Sequence, residues 1–91
     1  MVAERHVTIL NEKGLHVRPA TALSQAACKF KSRITVLADG RPVNAKSSIE
    51  LLTLAATAGT DLTIRADGDD AEAAADALVK LVEDKFGMRD D

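Results

Sequence analysis

A strand-like segment and a helical segment meet at Gly14-Leu15-His16-Val17-Arg18-Pro19-Ala20. The histidine lies where the helix begins, the arginine follows two residues later, and the proline falls in the first helical turn. Proline is tolerated there because its missing N–H would have had no partner inside the helix. The segment therefore predicts a strand-to-helix junction with His16 at the N-terminal end of the helix.

This junction suits a histidine that receives and passes on a phosphoryl group. The first N–H groups of a helix have no internal partners, and the helix macrodipole adds positive potential at the same end. A phosphoryl group on His16 would meet those donors, and the planar guanidinium of Arg18 matches its oxygens. The residues alone leave a second interpretation open, in which His16 only caps the helix. The other histidine, His6, alternates with Val7 on the predicted polar face of a strand, so no chemical role is expected for it.

Composition restricts the class of protein. The 91 residues suffice for one domain, 1–91, and its core is expected to be aliphatic because the chain has no Trp, no Tyr and only two Phe. The net charge is −2, without a basic run or aromatic residues to stack on bases, so nucleic-acid binding is not expected. The single Cys28 excludes an internal disulfide and a cysteine metal cluster, and we expect neither a metal nor a cofactor. No apolar stretch reaches membrane-spanning length and no signal peptide is recognised, which predicts a cytoplasmic protein without membrane insertion.

Hydrophobic spacing predicts four strands and three helices in the order β-α-β-β-α-β-α. The strands cover 4–10, 32–38, 41–44 and 61–67, and the helices begin near Val17, at Ser47 and after Asp69. Every strand has one apolar face, so the sheet buries that face beneath the helices and leaves the other to water. The predicted fold class is a two-layer α+β sandwich.

Turn-forming residues mark several boundaries of these elements. Asp39-Gly40 is typical of a two-residue hairpin. Pro42 lies in the short strand that follows the hairpin and predicts that this strand is at an edge of the sheet. Gly59 is the predicted stop of the second helix. Helical spacing of apolar residues continues to Phe86 in the third helix, and the acidic end Asp90-Asp91 is expected to fray.

Two capping boxes are predicted at helix starts. A hydroxyl or carboxylate residue followed three positions later by glutamate satisfies the first N–H groups of a helix. Ser47 with Glu50 has this spacing before the second helix, and Asp69 with Glu72 has it before the third.

The second helix is apolar on more than one side. Its apolar residues are Ile49, Leu51, Leu52 and Leu54, and its own sheet can cover only some of them. Exposed apolar patches commonly mark interaction sites. We therefore expect Ile49 and Leu52, together with Val17 on the exposed edge of the His16 helix, to form a partner-docking surface.

Two segments identify a resemblance to a known family: Gly14 to Ala20, and Asn44-Ala45-Lys46-Ser47 before the second helix. Over nearly its whole length the chain resembles the HPr family, the histidine-containing phosphocarrier proteins of the bacterial phosphoenolpyruvate-dependent phosphotransferase system (PTS). The resemblance implies an open-faced β-sandwich, a four-stranded antiparallel sheet with three helices on one face. That agrees with the element order above.

The resemblance also implies roles for three residues. His16 matches the histidine that accepts a phosphoryl group from enzyme I on Nδ1 and passes it to the A domain of an enzyme II. Arg18 matches the arginine that assists this transfer. Ser47 matches the serine that an ATP-dependent HPr kinase/phosphorylase modifies in many bacteria. On its own Ser47 is a helix cap, and that interpretation holds beside the regulatory one.

Three positions depart from the family pattern. Ser48 replaces a bulky apolar residue, Glu50 stands where glycine or lysine is common, and Val17 replaces a smaller residue beside the histidine. These changes affect the docking surface rather than the transfer chemistry, so they bear on which partners bind.

Three functions are compatible with these observations. The first is a monomeric phosphocarrier, not an enzyme with a substrate of its own, that relays a phosphoryl group in sugar transport through His16. The second is a regulatory phosphoprotein of a nitrogen-type or incomplete phosphotransferase system, which signals without transporting sugar. The third is a binding domain without phosphoryl chemistry.

Overall fold

A four-stranded antiparallel sheet forms one layer of the computed structural model, which describes residues 1–88. The strands are β1 (Val2–Thr8), β2 (Arg33–Ala38), β3 (Arg41–Asn44) and β4 (Asp61–Asp67), in the spatial order β1-β4-β2-β3. The helices are α1 (Val17–Ala27), α2 (Ser48–Thr53) and α3 (Ala71–Glu83), and a short 3-10 helix, Lys85–Gly87, follows α3. The predicted order and the open-faced sandwich are confirmed, whereas the fraying expected for Asp90-Asp91 lies outside the described residues.

Strand alternation gives the sheet a covered face and an open face. The apolar side chains of the covered face pack with Ala20 and Leu23 of α1 and Leu78 of α3 in one core. The sheet residues in this core are Ala3, Val7, Ile34, Val36, Ala38, Val43, Leu62, Ile64 and Ala66. The alternate positions, among them the exposed Arg33 and Arg65, belong to the open face. Burial of the apolar side chains on one side only is what the strand alternation predicted.

On its free side, the edge strand β3 has few backbone N–H and C=O groups without a hydrogen-bond partner. The N–H of Ala45 donates to the carbonyl of Ile34 (3.0 Å), so by alternation the backbone groups of Pro42 and Asn44 face outward. Pro42 has no N–H to offer. The N–H of Asn44 donates to Oε1 of Glu50 at 3.1 Å. Pro42 thus lies on an edge strand, as predicted.

One turn is as predicted and one helix stop is not. Asp39 and Gly40 both have positive φ (52° and 78°), as the two-residue hairpin requires. Gly59 does not end α2, because the helix stops well before it and Ala55 takes the left-handed conformation (φ 49°). The chain leaves the helix early and directs the next carbonyl, that of Ala56, to the loop before α1.

The predicted capping box of Asp69 and Glu72 is wrong. Asp70, not Asp69, is the N-cap residue of α3, and its side chain makes no capping hydrogen bond to the helix. The Asp70 carboxylate is instead occupied by donors of the loop between α1 and β2. A tertiary contact has therefore replaced the local one that the spacing suggested.

This tertiary contact, the Asp70 clasp, consists of Asp70, Lys31, Ser32 and Gly68. The carboxylate accepts the N–H of Lys31 (2.8 Å), the N–H of Ser32 (2.9 Å) and the Ser32 hydroxyl. These donors, the Ser32 hydroxyl above all, lower the pKa of Asp70 below its usual value. A Cβ at Gly68 would lie 2.5 Å from Oγ of Ser32, so the clasp closes only around glycine.

The third helix ends before Phe86, although helical spacing continues to that residue. Lys85 and Phe86 both have positive φ (51° and 58°) within the 3-10 helix. Phe86 is nevertheless only 5 % exposed, because this reversal of the chain returns its ring to the core. Apolar spacing thus predicted the burial of Phe86 correctly and its conformation wrongly.

Candidate functional site

His16 is the residue from which α1 starts. Its backbone is extended (φ −90°, ψ −167°), and its carbonyl accepts the first intrahelical hydrogen bond, from the N–H of Ala20 at 2.9 Å. The side chain is half-buried and makes no capping hydrogen bond to α1. His16 is therefore the N-cap residue of α1 by position, but its imidazole makes no capping hydrogen bond to the helix.

Backbone hydrogen bonds hold the loop before His16 in place. The N–H of His16 donates to the carbonyl of Gly14 (3.1 Å), and the N–H of the buried Leu15 donates to the carbonyl of Ala56 (2.9 Å). Gly14 has a φ of 68°, and a Cβ there would lie 2.3 Å from the oxygen of Ala56. The two residues before His16 are thus fixed against the segment that follows α2.

Sequence reasoning missed Asn11, a fully buried polar residue of the same loop. Its Nδ2 donates to the carbonyl of Gly14 at 2.6 Å, and the N–H of Gly14 donates to the carbonyl of Asn11 at 3.1 Å. Asparagine followed three positions later by glycine is typical of turns, and that was the available signal. The burial of Asn11 depends on tertiary packing, which the spacing does not reveal.

The N-terminal end of α1 has positive potential that no side chain of its first turn offsets. Val17 and Arg18 are the first two helical residues, and their N–H groups have no acceptor inside the helix. Pro19, the third, has no N–H. The first turn of α1 contains no acidic residue, whereas α2 and α3 each have one. The macrodipole at this end therefore favours an anion beside His16.

Arg18 is exposed at the second position of α1. A cation near the N-terminus of a helix is unfavourable for the helix itself, so stability does not explain its placement. A guanidinium two residues from His16 can instead bind the oxygens of a phosphoryl group.

Ser47 caps α2, but only half of the predicted capping box is present. The Oγ of Ser47 accepts the N–H of Glu50 at 3.2 Å. The N–H of Ser47 donates to the carbonyl of Asn44 (3.1 Å), so it is not available to the Glu50 carboxylate. Glu50 bonds the N–H of Asn44 instead, as described for the edge of the sheet. The tight turn before the helix thus competes with the box.

Apolar side chains are exposed on α2 and on the start of α1. Ile49 is 76 % exposed, Val17 63 % and Leu52 36 %, whereas Leu51 is completely buried. The two helices that carry them pack against each other. We call Val17, Ile49 and Leu52 the apolar surface. This surface is exposed to solvent, as expected from the apolar residues on more than one side of α2.

His6 and Cys28 lie outside this site. His6 belongs to the open face of the sheet, where its Nδ1 is 3.1 Å from Oγ1 of Thr63 and its Nε2 is 3.8 Å from the carboxylate of Glu4. Cys28 is exposed at the opposite, C-terminal end of α1. Across residues 1–88 no group of three or more His, Cys, Asp and Glu could hold a metal ion. In the same range no helix is long and apolar enough to cross a membrane.

Comparisons with known proteins identify several similar chains. Residues 3–84 match the family described as the PTS HPr component phosphorylation site. The phosphocarrier protein HPr of Cupriavidus necator is 40 % identical over 84 residues, which cover 92 % of this chain and 94 % of that protein. The phosphocarrier protein NPr of Shewanella violacea is 42 % identical over 83 residues, 91 % of each chain. A crystal structure of HPr from Thermoanaerobacter tengcongensis superposes with a TM-score of 0.91 at 44 % identity, covering 96 % of this chain and 98 % of that one.

Proposed function

Because the chain belongs to the HPr family of phosphocarrier proteins of the phosphotransferase system, we propose that it carries a phosphoryl group on His16. The group arrives from phosphorylated enzyme I and leaves to the A domain of an enzyme II that serves sugar transport. The chain acts as a covalent intermediate rather than as an enzyme with its own substrate. The observation that supports this most is the position of His16 at the start of α1, a helix whose first turn contains no acidic residue.

The proposed chemistry uses groups that belong to the junction. The lone pair on Nδ1 of His16 attacks the phosphorus, the bond to the donor breaks, and the same phosphoryl group later leaves to the acceptor. The N–H groups of Val17 and Arg18, and the Arg18 guanidinium, stabilise the charge on the phosphoryl oxygens during transfer. The backbone donors are held by a helix start that is fixed beforehand, so they need little reorganisation during the reaction.

We further propose Ser47 as a regulatory site for an HPr kinase/phosphorylase, in organisms that have one. Phosphorylation brings about two negative charges to the N-cap of α2, next to the exposed Ile49. The expected effect is weaker docking of enzyme I rather than a changed fold. Ser47→Asp should melt near the wild-type temperature and accept the phosphoryl group more slowly. Much earlier melting would make Ser47 mainly a structural cap, and full-speed labelling would exclude regulation of transfer.

Similarity to the NPr of Shewanella violacea favours one second candidate function. In it the chain is a regulatory phosphoprotein of a nitrogen-type or incomplete phosphotransferase system and signals without sugar transport. Both functions use the same residues, so the genome of the source organism separates them. Enzyme II permeases for sugars favour the relay, and an isolated A domain with a kinase favours signalling.

Intact mass after incubation with phosphoenolpyruvate and enzyme I tests the central proposal. The chain should gain one phosphoryl group that is labile in acid and stable in alkali, as a nitrogen-bound group is. His16→Ala should abolish this gain. His6→Ala is the matched control, because His6 lies on the open face, and it should label like the wild type. Labelling of the His16→Ala protein would contradict the proposal.

A further inference from the structure

We infer that Asn11 is a positioning residue, which holds His16 in the geometry that phosphoryl transfer requires. The inference rests on the proposed role of His16 and concerns a residue outside the motif that identified the junction. Asn11 acts through the backbone of the loop and not on the phosphoryl group itself.

Asn11 forms hydrogen bonds to Gly14 with both its side chain and its backbone. Nδ2 donates to the carbonyl of Gly14 at 2.6 Å, and the N–H of Gly14 donates back to the carbonyl of Asn11 at 3.1 Å. The residue is 0 % exposed, so no solvent contact is at hand to replace a lost donor. Loss of Nδ2 would therefore leave the carbonyl of Gly14 with one hydrogen bond fewer in a buried place.

The carbonyl of Gly14 links Asn11 to His16. The same oxygen also accepts the N–H of His16 at 3.1 Å, so Asn11 and His16 converge on one acceptor. The Gly14 peptide has little freedom to reorient, because its Cα side faces the carbonyl of Ala56. The orientation that Asn11 imposes on this oxygen thus sets the direction of the His16 N–H and of the extended backbone from which α1 begins.

The rate of transfer depends strongly on the exact position of the reacting nitrogen of His16. A misplacement of about 1 Å can reduce a rate by about 100-fold. We expect removal of the Asn11 donor to lower kcat for transfer from phosphorylated enzyme I by about tenfold. The KM for enzyme I should stay nearly unchanged, because Ile49 and Leu52 of the apolar surface lie on α2, outside the loop that Asn11 holds.

The Asp70 clasp supplies a matched control. Ser32 is likewise a buried polar residue (2 % exposed) that hydrogen-bonds beside a tightly packed glycine, but it lies at the other end of α1. Asn11→Leu keeps a similar side-chain size and removes the donor, and Ser32→Ala removes the clasp hydroxyl. Both variants should melt at lower temperature than the wild type, and only Asn11→Leu should change transfer. Asn11→Ala, which removes the donor without adding a charge, replaces Asn11→Leu if that variant does not fold.

Two measurements on each full-length variant decide the inference. Steady-state transfer from phosphorylated enzyme I gives kcat and KM, and amide hydrogen exchange by NMR reports the His16 N–H. The Asn11 variant should show the lower kcat with unchanged KM and faster exchange at His16, while Ser32→Ala keeps wild-type kcat and exchange. Unchanged kcat and exchange in the Asn11 variant, or an equal loss of kcat in Ser32→Ala, would overturn the inference. If wild type takes up no phosphoryl group, the proposed function fails separately, and the exchange at His16 still decides whether Asn11 positions it.

Discussion

At each end of α1 a buried polar residue lies beside a closely packed glycine. At the N-terminal end Asn11 binds Gly14, and at the C-terminal end Ser32 packs against Gly68. Each glycine lies so near its neighbour that a Cβ would come within 2.3 Å of the Ala56 oxygen at the first end and 2.5 Å of the Ser32 oxygen at the second. Both ends are therefore closely packed, and packing does not distinguish them.

What distinguishes the two ends is the use of their polar groups. At the C-terminal end the carboxylate of Asp70 takes hydrogen bonds from Lys31 and Ser32, so its charge is used inside the fold. At the N-terminal end the N–H groups of Val17 and Arg18 have no acceptor in the helix, and the guanidinium is exposed. A rigid helix end whose polar groups are hydrogen-bonded within the protein stabilises the fold. A rigid helix end whose N–H groups lack acceptors can bind a ligand. The site proposed for phosphoryl transfer is thus the end of α1 at which packing leaves donors available.

The strongest way to break this comparison is to add a methyl group at each glycine. Gly14→Ala and Gly68→Ala combine an unfavourable φ with a steric clash, so each should lower the free energy of unfolding by on the order of 2 kcal/mol or more. Gly14→Ala should also displace His16 and slow transfer by about 100-fold, while Gly68→Ala should leave transfer intact. Urea unfolding and the labelling rate measure the two effects. Gly40→Ala is the control, since it has positive φ with no neighbour within 4 Å; a Gly14→Ala protein with normal transfer would refute this part of the comparison.

Arginine replacements test the available donors directly. Arg18→Ala should slow transfer by about 100-fold, equivalent to about 2.7 kcal/mol of lost transition-state stabilisation. Its stability should change by less than about 0.5 kcal/mol, because an exposed side chain is removed. Arg33→Ala removes an exposed arginine near the Asp70 clasp and should leave the rate unchanged. Stopped-flow labelling of both variants is the measurement, and equal rates would reduce Arg18 to a surface residue.

A charge on the apolar surface sharpens the comparison further, since one of its residues, Val17, belongs to the N-terminal end of α1. Leu52→Glu should weaken enzyme I binding by about tenfold, because a carboxylate replaces an apolar contact. Val2→Glu places the same charge on another exposed apolar residue, 51 % exposed on β1, and should not change the affinity. Titration calorimetry measures both, with circular dichroism to show that the fold is kept. Unchanged affinity for Leu52→Glu would move the interface elsewhere.

The smallest expected effect is the pH dependence of the Asp70 clasp. The pKa of this carboxyl is lowered in the folded chain, mainly by the Ser32 hydroxyl. Its contribution is therefore present above the unfolded pKa and is lost as the pH falls through the folded pKa. Asp70→Asn should be less stable than the wild type at neutral pH, and the difference should shrink in acid. Urea unfolding from neutral to acidic pH checks this; a difference independent of pH would mean that the carboxylate charge is not what closes the clasp.

Features with strong local signals could be predicted from the sequence. The strand Asp61–Asp67 and the hairpin at Asp39-Gly40 follow from alternation and from the need for positive φ. The junction at His16 follows from the position of Pro19, which fits only the first turn of a helix. These signals depend on neighbours a few residues away, and tertiary packing did not override them.

The errors share one physical cause. The spacing of side chains in the sequence indicates which groups can form a hydrogen bond locally. It does not indicate whether a group from a distant segment forms that bond instead. Asp70 bonds the loop after α1 and leaves α3 without a side-chain cap, and the carboxylate of Glu50 accepts the N–H of Asn44 rather than that of Ser47. Asn11 was missed for the same reason, because its burial arises only when the loop packs against the segment after α2.

The hydrogen bond between Glu50 and Asn44 has a consequence for aggregation. An exposed edge strand offers a row of unpaired N–H and C=O groups on which another chain can build a sheet. On β3 the outward N–H is missing at Pro42 and is taken by Glu50 at Asn44, and the Asn44 carbonyl accepts from Ser47. A further strand would have to displace these partners before it could pair. The glutamate that departs from the HPr pattern thus also shields the short edge of the sheet from polymerisation.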